Sequence, residues 1–116
     1  MMGGRVREMQ ENIEAKIQEM VRRIVEAVHP DKIILFGSHA RGEAGPDSDV
    51  DLLIIAPSEE PAYKRALPAY LAVRGLGVPK DLVWRTSEEV REWTDVRLHL
   101  ISRALREGKI LYEKAA

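Results

Sequence analysis

The sequence contains no cysteine, so disulfides and thiolate metal sites are excluded. It also has no apolar run near the roughly 20 residues that span a bilayer. The first residues, 1–5, are not followed by the apolar segment that is typical of a signal peptide. We therefore expect a cytoplasmic protein that does not associate with a membrane.

The charge of the chain is nearly balanced. Lys and Arg number 18 and Asp and Glu number 19, which gives a net charge of −1. Affinity for a nucleic-acid backbone depends on positive charge, so we do not expect direct nucleic-acid binding. The net charge does not exclude a local basic patch, because its effect depends on where the charges lie. With 116 residues and 45% hydrophobic residues, the chain suits one domain, 1–116, with a packed core.

Hydrophobic periodicity and turn residues predict the secondary structure. The predicted elements are a helix at 5–28, a strand at 32–36, a helical turn at 39–43, a strand at 49–55, a helix at 62–74 that breaks near Pro68, a strand at 81–85, a short helix capped by Thr86 or Ser87, a helix at 95–107 ended by Gly108, and an edge strand at 109–112. In the last helix we expect an inward face of Val96, Leu100, Ala104 and Leu105. Because the strands are separated by short segments, we predict a small α/β (α+β) sheet with helices packed mainly on one face.

Two aspartates, Asp49 and Asp51, open the second predicted strand. Alternate side chains on a strand point the same way and lie roughly 6.6–6.8 Å apart, so both carboxylates can converge on one ion or on two adjacent ions. Like charges about 4 Å apart repel by on the order of 4 kcal/mol at an effective dielectric of 20. A divalent cation removes that repulsion, and oxygen-only ligands favour Mg²⁺ or Mn²⁺. The alternative is that Asp49 merely ends the loop and Asp51 is half-exposed.

A Gly-Ser turn, Gly37-Ser38, follows the first predicted strand. Glycine at the end of a strand lets the backbone approach a ligand closely, and the N–H groups at the start of a helical turn favour an anion. The Ser38 hydroxyl adds a donor for a phosphate oxygen. The alternative is an ordinary turn between a strand and a helix. Together with the aspartate pair, the turn predicts a site for a nucleoside triphosphate.

A third acid, Asp81, opens the third predicted strand. It can lie at the same edge of the sheet as Asp49 and Asp51. Phosphoryl transfer with two metal ions needs such a carboxylate cluster, because it holds the ions about 3.5–4 Å apart. The alternative is that Asp81 is a turn residue at the end of a loop.

The motif as a whole resembles that of a known superfamily. Gly37-Ser38, ten further residues and then Asp49-Val50-Asp51 resemble the Gly-Ser-x10-Asp-x-Asp signature of the DNA polymerase β nucleotidyltransferase superfamily. The fuller runs at 37–42 and 48–52 resemble the minimal nucleotidyltransferases, the MNT family. The resemblance extends from Ile33 to Tyr112.

The resemblance implies a nucleotidyltransferase fold with a mixed sheet and a role for each motif residue. Ser38 would contact the β- and γ-phosphates of ATP, Asp49 and Asp51 would bind Mg²⁺ or Mn²⁺, and Asp81 would complete the acidic set and help to activate an attacking hydroxyl. Arg41 has two interpretations: it contacts phosphate, or it braces the loop by pairing with Glu43 or Asp47.

The expected reaction is transfer of a nucleoside monophosphate, AMP from ATP, to a hydroxyl with release of pyrophosphate. Because 116 residues leave little room for an acceptor-binding domain, we expect the acceptor to be a partner protein or a molecule held at a subunit interface. Resemblance to the MNT family implies a HEPN-family protein as this partner in a hetero-oligomer, a tyrosine as the acceptor, and an antitoxin role. Two alternatives remain: a non-catalytic module that neutralises its partner by occlusion, and nucleotidyl transfer to a small molecule.

Residues outside the motif receive structural interpretations. We expect Trp84 and Trp93 to be core aromatics and His99 to be a surface or half-buried residue of the last helix. We interpret Lys64, Arg65 and Arg74 as a solvated helix face, with a basic edge near the nucleotide as the alternative. His39 is not interpreted as catalytic.

Overall fold

The structure is a computed structural model that describes residues 2–94 and 99–115. Its elements are α1 (Met2–Val28), β1 (Lys32–Phe36), α2 (Ser38–Arg41), β2 (Val50–Ile55), α3 (Ala62–Arg65), α4 (Leu67–Ala72), β3 (Lys80–Arg85), α5 (Ser87–Trp93), α6 (Leu100–Glu107) and β4 (Lys109–Glu113). Within these residues no helix is both long enough and apolar enough to cross a membrane.

The four strands form one mixed sheet in the order β3-β2-β1-β4. Strand β1 pairs antiparallel with both β2 and β4, whereas β2 pairs parallel with β3. The predicted α/β fold with a mixed sheet is therefore confirmed. The parallel pair matters most for the site, because it places the first residues of β2 and β3 at the same end of the sheet.

Most of the core lies between one face of the sheet and helices α1 and α4. Val50, Leu52 and Ile54 point into this layer from β2, and Met20 and Ile24 meet them from α1; all five are completely buried. Their spacing of two on the strand and four on the helix follows from the geometry of each element.

Helices also cover the second face of the sheet. Leu53 and Ile55 of β2 and Ile34 of β1 form a smaller core there with Ala104 of α6, against which Val90 of α5 packs. The strands β1 and β2 are buried at consecutive positions, as is typical of strands covered on both sides. The larger core thus lies on one face, and the site described below lies on the other.

The helical turns between the strands follow local rules. The predicted break near Pro68 occurs at Ala66, and the proline lies in the first turn of α4, where its missing N–H has no intrahelical partner to lose. Thr86 caps α5 through a reciprocal pair of hydrogen bonds with Glu89, as the sequence predicted. Arg65 pairs with Glu89 and its side chain is only 12% exposed, so its prediction as part of a solvated face was wrong.

The last helix differs from its prediction. Helix α6 begins at Leu100 with His99 as its N-cap, and residues 95–98, including Val96, lie outside the described residues. Leu100 is 40% exposed rather than inward, because Ile101 and Ala104 form the buried face. Gly108 ends the helix as predicted.

Trp93 is not a core aromatic. It is 41% exposed and stacks on the half-buried His99 with 4.5 Å between ring centroids. Trp84, in contrast, is buried as predicted, and its indole N–H donates to the Ala56 carbonyl at 3.0 Å.

Candidate active site

The strand register brings two of the predicted acids side by side. Asp51 of β2 is the direct partner of Asp81 of β3 in the parallel pair. On its other side, Asp51 is the partner of Phe36, the last residue of β1. The chain then continues into Gly37, so the Gly-Ser turn and the two acids meet at one end of the sheet.

The backbone of Gly37 lies against the carboxylate of Asp51. Gly37 has φ 75° and ψ −157°, a region that is essentially restricted to glycine. A Cβ atom at this position would lie 2.1 Å from Oδ2 of Asp51. The glycine is therefore required both by its backbone conformation and by the space that the carboxylate occupies.

The acids open into a cavity of about 380 Å³. Its lining comes from the end of the sheet, the Gly-Ser turn and α6: Phe36, Gly37, Ser38, Arg41, Asp51, Asp81, Leu100, Arg103 and Glu107. This volume falls within the range of small-ligand sites, about 300–1,000 Å³. A smaller cavity of about 260 Å³, which Asp31 and Thr86 help to line, lies where β1 begins and β3 ends and contains none of the predicted site residues.

The pKa of Asp51 is raised above its ordinary value of 3.8. Burial is the main cause, and the nearby carboxylates of Asp81 and Asp49 add to it, while His39 and Arg41 oppose it. A raised carboxylate pKa means that negative charge at this position is unfavourable in the absence of a cation. The site is thus electrostatically suited to receive positive charge.

The carboxylates of the site fit a hard divalent cation that is coordinated partly by the protein and partly by a substrate. Within the described part of the chain, no three acidic or histidine side chains converge closely enough to hold an ion by themselves. Mg²⁺ in phosphate-transfer sites is usually held by one or two carboxylates plus phosphate oxygens and water. Asp51 and Asp81 provide such a pair, whereas the exposed Asp49 precedes β2 and lies outside the cavity lining.

Arg41 forms the pairing with Glu43 that its structural interpretation expected, and it also approaches Glu107. Its Nε donates to Glu43 at 3.0 Å, and its guanidinium lies 3.8 Å from the Glu107 carboxylate. Although it lines the cavity, its charge is shared between these two acids. The Nε2 atom of His39 lies 3.3 Å from the Ser48 carbonyl oxygen, and this contact links α2 to the loop before β2.

Tyr70 of α4 is a site residue that sequence reasoning missed. Its hydroxyl accepts a hydrogen bond from the Leu82 backbone N–H at 2.9 Å and donates to Oδ1 of Asp81 at 3.5 Å. The tyrosine thus reaches around the free edge of β3 to the third acid. No local sequence signal connects the two residues, because the contact depends on how α4 packs.

The face of α6 that lines the cavity was also missed. Leu100, Arg103 and Glu107 recur at steps of three and four, so they share one face of the helix. This spacing could have been found in the sequence, but Leu100 had been placed on the inward face of the helix, so the three residues were not recognised as one exposed face.

Comparisons with known proteins agree with this geometry. The family model for the nucleotidyltransferase domain matches residues 15–111. No curated protein matches the sequence. Among the solved structures that match, two share the fold at 19% and 23% identity, so their likeness to this chain concerns the fold alone.

The first of these structures is a candidate nucleotidyltransferase from Sulfolobus solfataricus, with a TM-score of 0.67 and 19% identity over 92% of this chain and 86% of that one. The second is a toxin–antitoxin structure with AMP-PNP, with a TM-score of 0.60 and 23% identity over 84% of this chain and 73% of that one. The family model spans both the Gly-Ser turn and all three acids. The chain therefore belongs to the nucleotidyltransferase domain family.

Proposed function

We propose that this protein transfers AMP from ATP, with Mg²⁺, to a hydroxyl on a partner protein. The proposed acceptor is a tyrosine of a HEPN-type toxin, and the transfer makes this chain the antitoxin of the pair. The observation that carries the proposal is the register of Asp51 against Asp81, with Gly37 packed on the Asp51 carboxylate.

The proposed chemistry assigns a task to each motif residue. The acceptor oxygen attacks the α-phosphorus of ATP. The bond between the α-phosphorus and the oxygen that joins it to the β-phosphorus breaks, and pyrophosphate leaves. Asp81, which is exposed, takes the proton of the attacking hydroxyl. Ser38 donates to the β- and γ-phosphates, and Asp51 and Asp81, the acids that line the cavity, would hold Mg²⁺ together with phosphate oxygens, while Asp49 adds negative charge beside Asp51. The ion, when bound, offsets the charge of the phosphates and the acids.

Two features support a protein acceptor. One solved structure that shares the fold is a toxin–antitoxin with AMP-PNP, an analogue of ATP, so a protein pair and a nucleotide occur together there. In addition, the exposed apolar residues Tyr63, Leu67 and Leu71 recur every four residues in α3 and α4. A partner protein that covered these residues would bury an exposed apolar surface.

The test mixes the chain with ATP labelled at the α-phosphate, Mg²⁺ and the protein encoded by the neighbouring gene. We expect label on a tyrosine of the neighbour. Asp51→Asn should reduce the transfer rate by about 100-fold or more, the scale of losing a group that stabilises transition-state charge. Asp47→Asn, the same change at an exposed loop position, should leave the rate unchanged.

Other outcomes would contradict the proposal. If no label is transferred and Asp51→Asn still neutralises the neighbour, the chain acts by occlusion. If label appears on an added small-molecule alcohol but not on the neighbour, the acceptor class is wrong.

A further inference from the structure

We propose that Arg103 binds the β- and γ-phosphates of the nucleotide and stabilises the pyrophosphate as it leaves. This inference rests on the proposed function, since it assigns a further residue to the same site. Arg103 would thus supply from α6 the positive charge that one of the two interpretations of Arg41 placed in the Gly-Ser motif.

The packing of α6 determines where Arg103 lies. Ile101 and Ala104 are buried against the sheet. Gly108 ends the helix so close to β1 that a Cβ there would lie 2.5 Å from Cγ2 of Ile34 and 2.8 Å from the Leu35 carbonyl oxygen. With α6 held in this way, its other side contributes to the cavity wall.

The wall of α6 offers different chemistry along its length. Leu100 is apolar, Arg103 follows one turn later, and Glu107 follows one turn after that. The sheet end provides the acids Asp51 and Asp81 to the same cavity. A phosphate chain between the sheet and the helix would therefore have acids on one side, which need a cation, and a guanidinium on the other.

Among the described residues, two arginines line the cavity, and Arg103 is the one available to a ligand. Arg41 is paired with Glu43 and Glu107. Arg103 is exposed, and its side chain forms no ion pair within the described residues. A guanidinium can donate two parallel hydrogen bonds to phosphate oxygens, which suits it to a leaving pyrophosphate.

The experiment measures phosphate binding without relying on the base or on the reaction. Mg-tripolyphosphate and Mg-AMP are titrated by calorimetry into the wild-type chain and into Arg103→Gln, Arg103→Lys and Arg74→Gln. We expect Arg103→Gln to weaken tripolyphosphate binding about tenfold or more, the scale of one charge-assisted hydrogen-bonded contact. AMP affinity should stay within about twofold, because AMP lacks the β- and γ-phosphates.

The other variants separate a specific contact from general charge. Arg103→Lys keeps the charge but loses the two-pronged geometry, so it should recover part of the affinity. Arg74→Gln removes an exposed arginine outside the cavity and should match the wild type. Thermal melting of each variant checks the fold, which an exposed side chain should not affect.

The inference is overturned if Arg103→Gln binds tripolyphosphate like the wild type, if it loses AMP and tripolyphosphate affinity equally, or if the wild type binds no tripolyphosphate. These results differ from failure of the proposed function. Transfer that is unaffected by Arg103→Gln would remove only the inference. Tripolyphosphate binding that depends on Arg103, with no transfer to any acceptor, would remove only the reaction.

Discussion

Replacing Gly37 by alanine tests how closely the turn and the acidic site depend on each other. The backbone conformation of Gly37 costs a non-glycine residue about 1–3 kcal/mol. The added Cβ would also lie 2.1 Å from Oδ2 and 3.1 Å from Cγ of Asp51, so the carboxylate has to leave its position. We expect a free energy of unfolding reduced by more than the backbone strain alone, and a marked loss of Mg-tripolyphosphate affinity.

A double-mutant cycle separates the two contributions. In an Asp51→Ala background the obstructing carboxylate is absent, and the remaining Cβ of residue 51 lies 3.5 Å from the new methyl group, an ordinary contact distance. Gly37→Ala should then cost only the backbone strain. We expect a coupling energy of about 1 kcal/mol or more between the two positions, measured by urea unfolding without metal.

Gly42→Ala provides the matched control. Gly42 also has a positive φ, 72°, but a Cβ there would meet nothing within 4 Å. It should lower stability by about 1–2 kcal/mol and leave tripolyphosphate binding intact. The reasoning is refuted if Gly37→Ala costs the same in both backgrounds, or if it binds Mg-tripolyphosphate as well as the wild type does.

Two further substitutions test the acids and their support. Without metal, Asp51→Asn should raise the melting temperature by roughly 3–6 °C at pH 7, since paired strands place the two charges about 5 Å apart and solvent exposure limits the relief to about 1 kcal/mol. Because the folded pKa lies above 3.8, the stability from Asp51 is present at low pH and is lost as the pH rises through the folded pKa. Calorimetry in EDTA should therefore show the difference in melting temperature between variant and wild type widening as the pH rises from 3.8 to the folded pKa of Asp51, and then levelling. A difference that is constant with pH would contradict a raised pKa at Asp51. Tyr70→Phe should lower kcat and shift the pH–rate profile while leaving Mg-tripolyphosphate affinity unchanged, because the lost hydroxyl contacts Asp81, the proposed base. An unchanged profile would mean that Tyr70 only supports the edge of β3.

The parts of the site that are close in sequence could be predicted. The short apolar strands and the Gly-Ser turn are local patterns, and the structure contains them. Asp51 lies in β2 as expected, whereas Asp49 precedes the strand. The position of Asp81 was the uncertain step, since it depends on the parallel pairing of β2 with β3. The register places it beside Asp51. The roles of these residues in catalysis stay predictions.

The parts that depend on packing could not be predicted. The contact between Tyr70 and Asp81 arises from the way α4 lies along the edge of the sheet. The cavity-lining face of α6 depends on where that helix begins, and boundaries are the least certain feature of a sequence pattern. Arg41 was expected near the nucleotide from its place in the motif, whereas Arg103 received no interpretation. The pairing of Arg41 with Glu107 depends on how α6 packs against α2.

The hydroxyl of Tyr70 also has a consequence for assembly. Strand β3 is at one edge of the sheet, where its outward N–H groups would otherwise be free to pair with a strand from another molecule. Because the Leu82 N–H already donates to Tyr70, an incoming strand cannot pair there without displacing the tyrosine. Extension of the sheet by an incoming strand is therefore obstructed at the position next to Asp81.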